Sequence, residues 1–161
     1  MEDTVKLYSN LDNSLDLKQK QSCLDELQEK AHRSFFGSFL EYSQVDSRRK
    51  IIEALKGVGV IVYVEVEENP AGLLVAQDQG VVGSYLDILF VDEVARKKGV
   101  GGRMLECYEQ VMRKAFKTKI EVVVSPDANI GAFLANRGFE VRKRKKYTQY
   151  MCKRYDHGIT D

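Results

Sequence analysis

Between residues 57 and 91 the chain reads "VGVIVYVEVEE", closed by "ENPAG", then "LLVAQ", "DQG" and "VVGSYLDILFV". Three stretches rich in β-branched residues are separated by only a few residues of turn chemistry. Parallel neighbours need a crossover of a dozen or more residues, so these three runs are confined to consecutive antiparallel strands joined by tight turns. Whatever else the chain forms must pack on the faces or edges of that sheet.

The rest of the sequence supplies those parts. "TVKLYS" (residues 4–9) reads as a short opening strand, and Leu24, Leu27, Ala31 and Phe35 recur at helical spacing, which predicts a helix over about residues 15–36. "DSRRKIIEALKG" predicts a second helix, with Asp46 or Ser47 as its cap, Ile51, Ile52 and Leu55 on its apolar face and Gly57 as its stop. From Val100 to Phe116 the residues Val100, Met104, Cys107, Tyr108, Val111 and Met112 share one stripe, opposite Arg103, Glu106, Gln110 and Arg113. "KIEVVVS" is a further strand, Pro126-Asp127 turns into a short helix stopped by Gly138, and "FEVRKRKK" and "YTQYMCKRY" close the chain as two strands. The 161 residues suit one domain, 1–161, of α/β (α+β type) class: a mixed, mostly antiparallel sheet of about seven strands with about four helices.

Several function classes drop out on composition. The three cysteines, Cys23, Cys107 and Cys152, are odd in number and lack CxxC spacing, and only His32 and His157 could join them, so neither zinc nor a disulfide framework is expected. The N-terminal residues carry no signal-peptide pattern and no run of 18 apolar residues occurs, which points to a cytoplasmic protein. Residues 1–80 hold 9 Lys and Arg against 14 Asp and Glu, and residues 81–161 hold 16 against 10. The halves therefore carry −5 and +6, which suits an anionic partner for the second and a cationic or neutral one for the first.

The chemistry concentrates in "VARKKGVGGRM", residues 94–104, where a strand passes through glycines into a helix. Free N–H groups and the positive end of a helix dipole converge there on an anion. A Walker A loop needs GxxxxGK[ST], but Gly101-Gly102 leads into Arg103-Met104; a dinucleotide GxGxxG needs glycine where Met104 stands. The pattern that remains is RxxGxG, spelled by Arg96, Lys97, Lys98, Gly99, Val100 and Gly101. In this setting "LFVDEVARKKGVGGRML" resembles the acyl-CoA pyrophosphate loop of the GNAT family of N-acyltransferases, and "PDANIGAFLANRGFEV" resembles that family's later motif, closing at Gly138-Phe139. The order of elements agrees as well.

The resemblance implies an N-acetyltransferase that uses acetyl-CoA, without a metal, to acylate a primary amine. Pantetheine would pair with main-chain groups of Leu89, Phe90 and Val91. The pyrophosphate would lie on Arg96, Lys97, Lys98, Gly99, Val100, Gly101 and Gly102, with Asn129 touching the cofactor or serving as a turn residue or cap. Coenzyme A's phosphates carry roughly three to four negative charges, which the cations and amides of this loop would meet.

A primary amine attacks only as the free base, and for a pKa of ~10.4 reaching that form at pH 7 costs roughly 4 to 5 kcal/mol. A general base lightens this, and Asp87 is the candidate because it interrupts an otherwise apolar strand. Strand alternation puts it on the side of Tyr85, Leu89 and Val91, provided that no bulge intervenes. Its structural alternative is a carboxylate satisfied by neighbours. Glu121 and Glu65 are weaker, being explained as solvent-facing positions of alternating strands. The family's acid is commonly a tyrosine at the position of Leu134; Tyr147 or Tyr150 could substitute from the last strands, where an aromatic residue more often only packs, or water could protonate the thiolate, and a non-catalytic coenzyme A binding or sensing module is the alternative reading. "RKRKK", residues 142–146, reads as an edge strand protected by like charge rather than as a nucleic-acid surface. The acceptor, a small-molecule, peptide or protein amine, would enter from the side formed by residues 15–56; no membrane is implied, and a homodimer is compatible with the sequence.

Overall fold

The computed structural model describes residues 5–10, 16–34, 59–79, 83–96, 98–115, 117–124, 129–146 and 149–155. The strands are β1 (Val5–Ser9), β2 (Val60–Val66), β3 (Asn69–Gln79), β4 (Gly83–Val91), β5 (Lys119–Val124), β6 (Glu140–Arg144) and β7 (Gln149–Arg154). The helices are α1 (Leu17–Ser34), α2 (Val100–Lys114) and α3 (Asn129–Ala135), with a 3-10 turn at Glu93–Ala95. The strands make one sheet in the order β1-β2-β3-β4-β5-β7-β6. Only β4 and β5 run parallel among these pairs. The helix expected near residues 46–57 lies outside the described residues.

The meander is as the turn spacing requires, with one shift in where it bends. Of "ENPAG" only its first residue lies in the turn, which is Glu67 and Glu68, with φ of 52° and 68°. Two successive left-handed residues give a two-residue hairpin whose twist matches the strands. Asn69 and Pro70 already pair with Val66 and Glu65, and the register slips just there, between Val64 and Glu65, where a proline without an N–H is tolerated.

Helices cover both faces. On one side α2 packs Met104, Leu105 and Tyr108 against Val62, Val64, Leu74, Leu86 and Val122, all within 4% of full burial. On the other, α1 lies against β3 and β4, and its Leu24 and Leu27 are completely buried. Alternation places Tyr63, Leu73 and Phe90 on that second face. β2 is buried along its whole length because it is covered from both sides. Asp16 caps α1, its Oδ1 accepting the Lys18 N–H at 3.0 Å.

A polar cluster under α1 corrects the expectation for Glu65, which is not solvent-facing but 5% exposed. Its carboxylate accepts Lys20 Nζ at 2.6 Å, the Tyr63 hydroxyl at 2.8 Å and the Tyr8 hydroxyl at 3.3 Å. Lys20 also lies 4.9 Å above the Tyr8 ring. A buried carboxylate needs such partners, and here they fasten the first half of α1 to the sheet.

Candidate active site

The parallel pair β4 and β5 is joined at only one end. Pairing runs from Gly83↔Lys119 through Ser84↔Ile120 and Tyr85↔Glu121 to Leu86↔Val122, and stops. The cause lies in β4 itself. Its register against β3 passes from Ala76↔Leu86 to Val75↔Ile88, so Asp87 is an extra residue, a β-bulge. A bulge bends the strand and breaks its ladder, and beyond Asp87 the two strands part.

The bulge also reverses which side chains face where. Ser84 bonds the Tyr108 hydroxyl of α2 at 2.5 Å and Leu86 belongs to the same core, so the even positions face α2 here. Past Asp87 it is Leu89 and Val91 that join the α2 side. The expected grouping of Tyr85 with Leu89 and Val91 is therefore overturned: Tyr85 faces α1, and the other two face α2.

Beyond the bulge, β4 offers main-chain groups to the gap. Asp92 N–H donates to Ala71 O at 2.8 Å, in register with Leu73↔Phe90. Bonded pairs alternate along an antiparallel ladder, so Phe90 spends its polar groups on β3 while Leu89 and Val91 direct theirs toward β5. The Val91 carbonyl also accepts Arg96 Nε at 3.1 Å, which draws the start of the loop back onto the strand.

At the end of that gap the loop enters α2. Gly99 caps the helix at φ 77°, a left-handed position that glycine occupies without strain. The first intrahelical bond is Arg103 N–H to Gly99 O, so the N–H groups of Val100, Gly101 and Gly102 precede the ladder. A Cβ on Gly101 would come 3.3 Å from Val91 Cγ2, and one on Gly102 would collide with the Arg137 guanidinium. Arg137 lies 5.0 Å over the Phe133 ring and packs on the positive end of α2. A cation there works against the helix dipole unless an anion sits between them. These residues fit a pyrophosphate. Arg96 and Lys98 are exposed beside them, and Lys97 lies outside the described residues.

Arg137 was not legible in the sequence as a loop residue. It is 35 positions from Gly102, and only the packing of α3 beside α2 brings the two together. An open groove of about 560 Å³ runs from it between these helices, lined by Glu106, Glu109, Phe133, Asn136 and Lys153. Asn129 begins α3.

On the α1 face, the last rungs before the gap carry Tyr85 and Glu121 side by side. Glu121 pairs with Lys119 at 2.7 Å. That bond, reinforced by one from the Tyr150 hydroxyl and opposed by burial, holds its carboxyl below the usual range. Burial first, and the Glu121 bond second, push Tyr150 up to about 12. Asp87 is half-buried, with Oδ2 screened from solvent. Leu134 is fully buried in the core and offers no proton, while Tyr147 lies outside the described residues.

A family model described as an acetyltransferase (GNAT) domain matches residues 23–152. The chain belongs to the GNAT acetyltransferase family. That domain makes it an acyl-CoA-dependent acetyltransferase. No curated protein matches it by sequence. The GNAT fold is shared with the PaiA N-acetyltransferase of Thermoplasma acidophilum, solved in complex with coenzyme A, at 15% identity over 94% of this chain and 99% of that one, with a TM-score of 0.74. It is shared equally with the ribosomal-protein-S18-alanine N-acetyltransferase of Escherichia coli, at 15% identity over 98% of each chain and a TM-score of 0.74. An aminoglycoside 6'-acetyltransferase type Ii covers 94% of this chain and 96% of its own, at 15% identity and a TM-score of 0.70. Among the described residues, no helix is long and apolar enough to cross a membrane.

Proposed function

We propose that this GNAT protein moves the acetyl group of acetyl-CoA to a primary amine by direct attack, in the gap that opens beyond Asp87. The observation that carries the reading is the end of β4–β5 pairing at Leu86↔Val122, with a glycine-capped helix N-terminus at the far end of the same gap. Leu89 and Val91 would bond the pantetheine amides, with Phe90 completing the wall. The amides of Val100, Gly101 and Gly102, with Arg96, Lys97, Lys98, Arg137 and the capping Gly99, would hold the phosphates. Asn129 would contact the same ligand from α3.

Asp87 acts as the base. It takes the proton from the incoming amine, directly or through one water, as nitrogen bonds to the thioester carbonyl carbon. Collapse of the tetrahedral adduct breaks the carbon–sulfur bond, and water protonates the thiolate, whose pKa near a cysteine's ~8.5 makes a side-chain acid dispensable. The amine enters from the α1 face, where Asp87, Tyr85 and the ionised Glu121 favour a cationic acceptor. The similar structures are named for amines as different as a ribosomal protein's alanine and an aminoglycoside. An acceptor panel should therefore span peptide N-termini, lysine side chains, amino-sugars and small amines.

The test is release of free thiol from acetyl-CoA over that panel. Turnover on at least one amine is expected; coenzyme A binding without turnover on any would favour a sensing module of the same fold.

A further inference from the structure

The junction between β4 and the phosphate loop is held from two directions, and one hold comes from the helix on the acceptor face. Asp92 directly follows Val91 and opens the 3-10 turn. An aspartate in that position ordinarily turns its carboxylate onto the N–H groups of its own first turn. This one makes no such bond. Its backbone is fixed locally, the N–H by Ala71 O at 2.8 Å and the carbonyl by Ala95 N–H at 2.9 Å. Its side chain reaches away from the turn, and Oδ2 accepts Lys30 Nζ of α1 at 2.7 Å.

Lys30 has another partner within its own helix, Glu26, at 3.3 Å. The Glu26 side chain is 52% exposed and that of Asp92 only 13%, so the pair with Asp92 is the less screened of the two. The bond to Asp92 is also the leading reason that the Lys30 ammonium is held above the usual lysine range. On the other side of the junction, Arg96 reaches back to the Val91 carbonyl. Lys30 and Arg96 thus grip adjacent residues, one from α1 and one from the loop that would carry the phosphates.

The two halves of α1 are anchored differently. Lys20 fixes the first half to Glu65 on β2, away from the gap. Lys30 fixes the second half to the residue from which the loop departs. We infer that Lys30 is a positioning residue that couples the phosphate loop to the acceptor-side helix, so that coenzyme A in the loop sets the second half of α1 for the amine. The inference rests on the coenzyme A reading proposed above.

The test is hydrogen exchange on the full chain with and without coenzyme A, paired with calorimetric affinities, for wild type, Lys30→Met and Lys30→Arg. In the wild type coenzyme A slows exchange both in the loop and in the second half of α1. Lys30→Met keeps coenzyme A affinity within about threefold and keeps the loop protection, but loses the ligand-dependent protection of α1. Lys30→Arg restores it. A lysine that merely stabilised α1 would loosen that helix equally with and without ligand. Ligand-dependent protection of α1 that persists in Lys30→Met, or that is missing from a wild type that binds coenzyme A, overturns the coupling. A wild type that does not bind coenzyme A overturns the cofactor reading, and the coupling with it.

Discussion

Leu86 and Val122 form the last rung between β4 and β5, one residue before the bulge at Asp87. One extra residue in β4 accounts for three features of the site. It ends the ladder, it turns the side chains of Leu89 and Val91 to the α2 face, and it places a half-buried carboxylate at the apex of the gap.

The glycines of the loop separate backbone strain from ligand contact. A Cβ on Gly99 would meet nothing within 4 Å, so the cost of Gly99→Ala comes from its φ of 77° alone. We expect a stability loss of about 1 kcal/mol in denaturant unfolding. Gly102→Ala instead forces the Arg137 guanidinium aside, which a flexible side chain does cheaply. Its unfolding midpoint should barely move, while coenzyme A affinity falls about tenfold, as it should in Arg137→Ala. An unaltered affinity in both variants would remove Arg137 from the site.

The cluster around Glu65 makes stability depend on pH at both ends of the scale. Burial alone would raise the Glu65 carboxyl, but the bonds from Lys20 and Tyr63 outweigh it and the group titrates below its ordinary range. Its contribution is therefore complete above the unfolded carboxylate pKa and is lost as pH falls through the lower folded value. Lys20 is the mirror case, raised chiefly by its bond to Glu65, so its contribution is present below the ordinary lysine range and lost as pH climbs through the folded value. Lys20→Met leaves a buried carboxylate without its cation, and unfolding by urea should show a loss of about 3 kcal/mol at neutral pH. The acid-side slope should flatten as well.

How much of this could be read in advance depends on the physics behind each feature. The meander was legible because turns of a few residues leave a strand no way to return except antiparallel. The glycine turn from strand into helix was legible because only glycine sits easily at the φ of Gly99. The bulge at Asp87 was not, since an apolar strand covered on both faces has no polar alternation to betray an extra residue. Glu65 misled for a related reason: a carboxylate between valines reads as solvent-facing, and its partners Lys20 and Tyr8 come from distant parts of the chain. Leu134 stands where the family resemblance implies an acid, and the structure adds that it is core.

Tyr150 is hydrogen-bonded to Glu121, and its hydroxyl is pushed up to about 12 by burial and then by that carboxylate. A group so placed stays protonated through the working range and contributes no alkaline limb. The profile of kcat/KM against pH for Tyr150→Phe should match the wild type to about pH 10, with kcat changed by less than about threefold. A shifted alkaline limb would instead make Tyr150 the acid for the departing thiolate.

The most direct test of the account is the pH dependence of acetyl-CoA turnover in Asp87→Asn beside the wild type, on the best amine of the panel. An amide at the bulge keeps the shape of the residue and removes its ability to take a proton. The expected result is a fall in kcat of about 100-fold or more, loss of the acidic limb of the profile, and coenzyme A affinity close to that of the wild type. A variant with the same profile and an unchanged kcat would contradict it.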